Sequence, residues 1–231
     1  MLDAIERIEI HIRSVIAHEI GYHDPLAYQK STFINPKKLI TWKDKKTKKD
    51  RNLWKEWSFR QQSLVSRSNE DCIKWHKVEK KAIPFWVVVE SWDFGTLSQY
   101  YAMLKGKYQN RICLRLKISN EKVLENWLHE MNILRNRCAH HTRIWNQSLN
   151  NPLRVLNTPY FERLSLSERA LKRVYGMICV LWFLVRTIGP SSSWLKSVSQ
   201  LINAKPSIDC CPNTAMGFLD NNGFPNITFF N

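Results

Sequence analysis

Ser119-Asn120-Glu121-Lys122-Val123-Leu124-Glu125-Asn126-Trp127-Leu128-His129-Glu130-Met131-Asn132-Ile133-Leu134-Arg135-Asn136-Arg137-Cys138-Ala139-His140 is the stretch whose reading decides the fold. Leu124, Trp127, Leu128, Met131, Leu134 and Cys138 recur at intervals of three and four, which places them on one face of an α-helix. Glu125, His129, Asn132, Asn136 and His140 fall on the opposite face. Ser119 and Asn120 can cap the N-terminus by accepting from free backbone N–H groups. The spacing predicts a helix over 119–140 with a buried side and a wet side.

Working outward, the same period appears at Leu2, Ile5, Ile8, Ile12, Val15 and Ile16, an amphipathic helix over 2–20 that Gly21 and Asp24-Pro25 end. Pro84 opens a short buried helix through Phe85-Trp86-Val87-Val88-Val89-Glu90. Asp93-Phe94-Gly95-Thr96 reads as a turn and cap for a helix to about Lys105. Residues 166–188 are apolar nearly all round, so a central helix is expected there. A short helix over Trp194–Ile202 follows, and Pro206, Pro212, Gly217, Gly223 and Pro225 make the remaining tail irregular. Ten Trp against seven Gly favour long helices with bulky packing over a turn-dense all-β fold. The expected architecture is an all-α bundle over 1–189, with 190–231 packed on it as a short helix and irregular tail.

The formal net charge of +15 draws polyanions and says nothing of the fold. RNA or DNA is favoured over membrane. The N-terminus lacks the basic-then-apolar layout of a signal peptide, and the most apolar run, Val174 to Ile188, is short and carries Arg186. Six Cys show no C-x-x-C pair, so they are read as reduced thiols of a cytoplasmic protein without a zinc site. Residues 35–57 form a basic insertion in which Lys45, Lys46, Lys48 and Lys49 stand among Trp42, Trp54 and Trp57. It reads either as a solvated loop leading into a helix, with Trp docked on the core, or as a strand-tracking patch. In the second case Lys neutralises phosphates and Trp stacks on bases.

The chemistry concentrates in residues 135–143, six of which are Arg, His or Asn. Asn136 and His140, four apart, share a helix face. Arg135 lies at the edge of the apolar face, where a guanidinium needs a compensating partner or a phosphate. No Walker loop, nucleophile elbow or metal-binding helix competes with this cluster. Without a metal-ligand set or cofactor, phosphodiester cleavage has to use the 2′-hydroxyl of RNA. His can move the protons and Arg can hold the phosphate. The spacing R-x-x-x-x-H alone is weak. Arg13 to His18 matches it too and reads chiefly as a structural helix face. A purely structural reading of Arg135–His140 pairs Arg135 with a buried acid such as Glu90 and makes His140 a helix-end cap.

Trp127 to Asn146, with its Arg135-Asn136-Arg137-Cys138-Ala139-His140-His141 core, resembles the signature of the Abi-like (abortive infection, AbiD/AbiF) family. Pro84 to Ser98 is similar to that family's other hallmark, and Leu2 to Glu9 and Met216-Gly217-Phe218 also fit. The resemblance implies membership of the HEPN superfamily of all-α domains, phage defence by abortive infection, and ribonuclease activity as a toxin. It further implies a homodimer pairing two motif copies, kinship with the RNA-guided ribonucleases of type VI CRISPR systems, and control by a structured non-coding RNA. On that resemblance Arg135, Asn136 and His140 are the catalytic positions. Arg137, His141, Arg143 and His129 join Lys45, Lys46, Lys48 and Lys49 as RNA-binding residues. HEPN toxins paired with nucleotidyltransferase antitoxins typically carry Tyr two places after the His, where this chain has Thr142. Family members usually carry a further helical region ahead of the segment that opens here at Leu2. The alternative function is a non-catalytic RNA-binding HEPN protein that scaffolds a non-coding RNA.

Overall fold

Helices that begin on a side-chain cap and bury one apolar stripe account for most of the chain. The structure is a computed structural model that describes residues 1–206 and 208–230. It divides into two compact units, Ile10–Arg115 and Met1–Glu9 with Leu116–Asn231. The described residues form ten α-helices, short 3-10 turns and one two-stranded hairpin, so the fold is all-α.

In Ile10–Arg115, helix α1 (Leu2–Gly21) buries Ile12, Val15, Ile16 and Ile20. The basic segment folds into the hairpin β1 (Trp42–Lys43) and β2 (Asp50–Arg51), paired antiparallel with Trp42 opposite Arg51. Asn52 then caps α2 (Leu53–Arg67) by accepting from the Lys55 amide at 2.9 Å. The chain continues through α3 (Asp71–Val78), the short α4 (Phe85–Val88), α5 (Phe94–Met103) and α6 (Gly106–Arg115). Asp93 caps α5, accepting from the Thr96 amide at 2.7 Å, as its place in the sequence predicts. The core of this unit is aromatic. Trp57 meets Trp92 edge-on at 5.1 Å and Tyr100 at 4.9 Å, and donates its indole N–H to the Thr96 carbonyl.

The other unit holds α7 (Glu121–Ala139), α8 (Pro159–Leu164), α9 (Val174–Ile188) and α10 (Trp194–Asn203). Helix α9 is buried at every position from Val174 to Val185. Trp127 packs with Phe161 and Phe183, at 5.8 and 5.6 Å. The central helix expected over 166–188 starts only at Val174. Residues 166–173 instead fold back in a 3-10 turn over Ala170–Lys172. Gly176 permits this: a Cβ there would lie 2.3 Å from the Ala170 carbonyl oxygen. Among the described residues, the tail after α10 is irregular apart from two 3-10 turns. No helix among the described residues is long and apolar enough to cross a membrane.

Candidate active site

Helix α7 carries the residues singled out in the sequence, and its two ends are built differently. Asn120 caps the start, accepting from the Lys122 amide at 2.8 Å. Val123, Leu124, Trp127, Leu128, Met131 and Leu134 are buried below it. At the other end His140 is the C-cap, its amide bonded to the Asn136 carbonyl at 3.0 Å. The His141 amide reaches the Cys138 carbonyl at 3.1 Å, and the Thr142 amide reaches the Arg137 carbonyl at 2.9 Å. This pair of bonds is a Schellman closure, whose left-handed residue is usually Gly. Here it is His141, at φ 53. A side chain in that region costs about 1 kcal/mol or more, and such strain gathers at functional positions.

The last turn places Asn136 and His140 at the surface, with Ala139, His141, Thr142 and Arg143 also exposed. Arg135 is half-buried. Its Nε is sealed from solvent without a hydrogen-bond partner, and the guanidinium makes no ion pair among the described residues. Glu90, the acid that a structural reading assigned to it, lies 3.7 Å from Arg13. Arg137 is half-buried and donates to the Ser148 carbonyl at 3.3 Å, so part of its hydrogen-bonding capacity holds the following loop. Burial pushes the Cys138 thiol above its ordinary value, which keeps it protonated. The partial negative charge of the helix C-terminus favours the cations Arg135, Arg137 and Arg143 at this end. Together the turn offers guanidinium groups, an amide and an imidazole, donors and a proton carrier for an anionic ligand.

Behind the turn sits a residue that sequence reasoning passed over. Glu130 is 0% exposed and accepts from the backbone amides of Asn150 and Asn151, both at 3.0 Å, and from the Asn151 side chain at 2.8 Å. Two neighbours complete the clamp. Trp127 donates to the Arg154 carbonyl at 2.6 Å, and Asn126 accepts from the Arg154 amide at 2.8 Å. Helix α7 thus ties down the chain that leaves the last turn, and Arg173 also donates to the Asn146 carbonyl of that chain. A carboxylate beside Leu134 on the helical wheel was the signal in the sequence, although its partners lie some twenty residues on. His129 belongs to this cluster, with Nε2 3.9 Å from Glu130. It stands eleven residues before His140, about 16 Å along the helix axis.

Lys45, Lys46, Lys48 and Lys49 lie in the other unit, all exposed on the turn of the hairpin. Asp44 shapes that turn by accepting from the amides of Lys46 and Thr47, at 3.0 and 2.7 Å. Of the interleaved Trp, Trp57 docks in the core, Trp54 stacks on Trp57 and Trp42 is exposed. Loop, core anchor and solvated basic surface therefore occur in one segment. Arg13, in α1, donates to the Trp92 carbonyl at 3.1 Å, beside Glu90. Among the described residues, no three His, Cys, Asp or Glu side chains gather as metal ligands would.

A family model described as Abi-like protein matches residues 1–146, which include both the Pro84–Ser98 segment and all of α7. No curated protein and no solved structure matches the chain.

Proposed function

From the premise that the chain belongs to the Abi-like family, a family of abortive infection and phage defence, we propose that it is a HEPN-type endoribonuclease. The observation that carries this reading is the last turn of α7. Asn136 and His140 stand exposed there, in the same turn as the half-buried Arg135, whose guanidinium makes no ion pair among the described residues. A half-buried Arg without a carboxylate is costly unless a ligand completes it, and a phosphate does so with charge-assisted hydrogen bonds.

In the proposed reaction one His140 takes the proton from the ribose 2′-hydroxyl. The 2′-oxygen attacks the adjacent phosphorus, and the P–O5′ bond breaks. The 5′-oxygen leaves with a proton from a second acid. Arg135 holds the charge that builds on the phosphoryl oxygens, and Asn136, one turn before His140, orients a phosphate oxygen. The products are a 2′,3′-cyclic phosphate and a 5′-hydroxyl. Because the nucleophile is the substrate's own hydroxyl, no metal is required and DNA resists. Each chain supplies one Arg135 and one His140, so base and acid together call for a homodimer in which the partner's His140 is the acid.

The test is digestion of a panel of RNAs in EDTA, with fragment ends identified by mass spectrometry. Cyclic-phosphate ends, and no cut at a 2′-deoxy position, are the expected result. Fragments with 3′-hydroxyl and 5′-phosphate ends would overturn the reading. A second reading, a non-catalytic RNA-binding protein, rests on the exposed hairpin lysines, which attract RNA without help from His140. Tight binding with no cyclic-phosphate product would favour it.

A further inference from the structure

We propose that the open groove along α2, facing Tyr28 and the segment from Lys77 to Ile83, seats a stretch of single-stranded RNA. This rests on the ribonucleic acid reading above and names a site apart from the α7 turn. The groove has a volume of about 670 Å³ and is lined by Trp54, Ser58, Gln61 and Gln62 of α2 and by Lys77 and Lys81. Among the described residues, no Asp or Glu lines it. The four α2 residues recur at one helical face, so they form a continuous wall.

Each wall residue matches a part of a nucleotide. Trp54 lies stacked on Trp57, with centroids 5.4 Å apart and planes at 19°. Trp57 is itself buried and hydrogen-bonded, so the Trp54 ring is a platform already held in place. Base stacking on such a ring tolerates any sequence. Gln61 is only 4% exposed, and its Oε1 has no hydrogen-bond partner. An enclosed amide in that condition is costly, and because the Gln61 side chain lines the groove, turning the amide outward lets a nucleobase edge, which carries donors and acceptors together, satisfy it. Gln62 is exposed next to it.

The cations divide by what already holds them. Lys77 donates to the Val65 and Ser66 carbonyls at 2.6 and 3.1 Å and closes the end of α2. Lys81 stands over the Trp75 ring at 4.6 Å, a fixed and exposed charge fit for a phosphate. At the opposite end the chain leading into Trp54 is the hairpin with Lys45, Lys46, Lys48 and Lys49. Aromatic platform, amides and cation therefore line one groove, and the hairpin lysines precede it in the chain without lining it. A second anionic ligand, an acidic peptide, would use the lysines but not the platform or the buried amide.

The experiment measures binding of a short fluorescein-labelled oligoadenylate RNA to full-length protein carrying His140→Ala, so that the RNA survives. Trp54→Ala on that background should weaken binding about 10-fold or more, and Trp54→Phe should restore most of it. Lys81→Ala should lower the salt slope by about 0.7, one single-strand phosphate contact. Undiminished binding by Trp54→Ala, Gln62→Ala and Lys81→Ala, with an unchanged slope, overturns the proposal. Should Trp54→Ala not fold, photocrosslinking of thiouridine-substituted RNA decides. Crosslinks within residues 53–81 support the groove, and crosslinks only elsewhere refute it. The two readings fail separately: wild-type cleavage with undiminished binding by the groove variants removes the groove alone. Lost binding in those variants, with no wild-type cleavage, removes the nuclease alone.

Discussion

Arg13–His18 and Arg135–His140 share one spacing and differ in almost everything else. Arg13 sits within α1, its side chain 17% exposed, with the Trp92 carbonyl and the Glu90 carboxylate beside it. His18 lies next to Glu19, and Glu19 is in turn approached by Arg111 and Arg115 at 3.4 and 3.6 Å. Arg135 lies one turn from a helix end, makes no ion pair among the described residues, and is followed by an exposed His at the cap. The pattern R-x-x-x-x-H thus does not identify a site. What separates the two is whether the guanidinium already has a use inside the protein.

The largest expected effect breaks the comparison at its imidazoles. His140→Ala should reduce RNA cleavage by at least about 100-fold, the usual weight of a general acid or base, whereas His18→Ala should leave it unchanged. Equal losses measured on one labelled RNA would place the chemistry on neither turn or on both. Next in size is the support behind α7. Glu130→Ala strands the Asn150 and Asn151 amides and should cost about 1–3 kcal/mol or more in denaturant unfolding. Glu130→Gln should recover part of this, because its oxygen can still accept.

Much of this was legible in the sequence. The 3.6 period of α1 and α7, the Asp93 cap and the onset of α10 follow from local chemistry, and the structure has them within a residue or two. The start of α9 was not legible. Residues 166–173 have a helical composition, but they fold back on Gly176, and that contact shows in no window of local spacing. The two-residue strands of the hairpin are likewise too short to alternate, and the Asp44 turn makes them. At the candidate site the exposed Asn136 and His140 were readable from the wheel. Glu130 was not, because a buried carboxylate is explained only by the amides that come back to it from Asn150 and Asn151.

Two smaller effects sharpen the contrast. His141→Gly relieves a left-handed backbone and should raise stability by about 1 kcal/mol, read as a higher unfolding midpoint. If activity falls while stability rises, the strain is kept for the side chain. In the other unit Arg60 shows the opposite economy of charge, committed to Asp93 at 2.8 Å. Burial pushes the Asp93 carboxyl up, but the Arg60 guanidinium and the Thr96 amide outweigh it and hold it below the usual value of 3.8. The ionised form is therefore favoured by folding. Its contribution is fully present above pH 3.8 and is lost as the pH falls through the lowered folded value. Asp93→Asn should flatten that acid limb of the stability curve: the variant, whose Asn can still cap the helix, is less stable than wild type near neutral pH by the amount wild type loses on acidification, and the two curves meet at low pH.

The most direct test compares Arg135→Ala with Arg13→Ala in single-turnover cleavage of one RNA, with thermal unfolding of each protein alongside. Arg135→Ala should lose cleavage at an unchanged unfolding midpoint, while Arg13→Ala should lower the midpoint and keep the rate per folded molecule. The reverse pattern, or two variants that behave alike, would contradict the assignment of the chemistry to the last turn of α7.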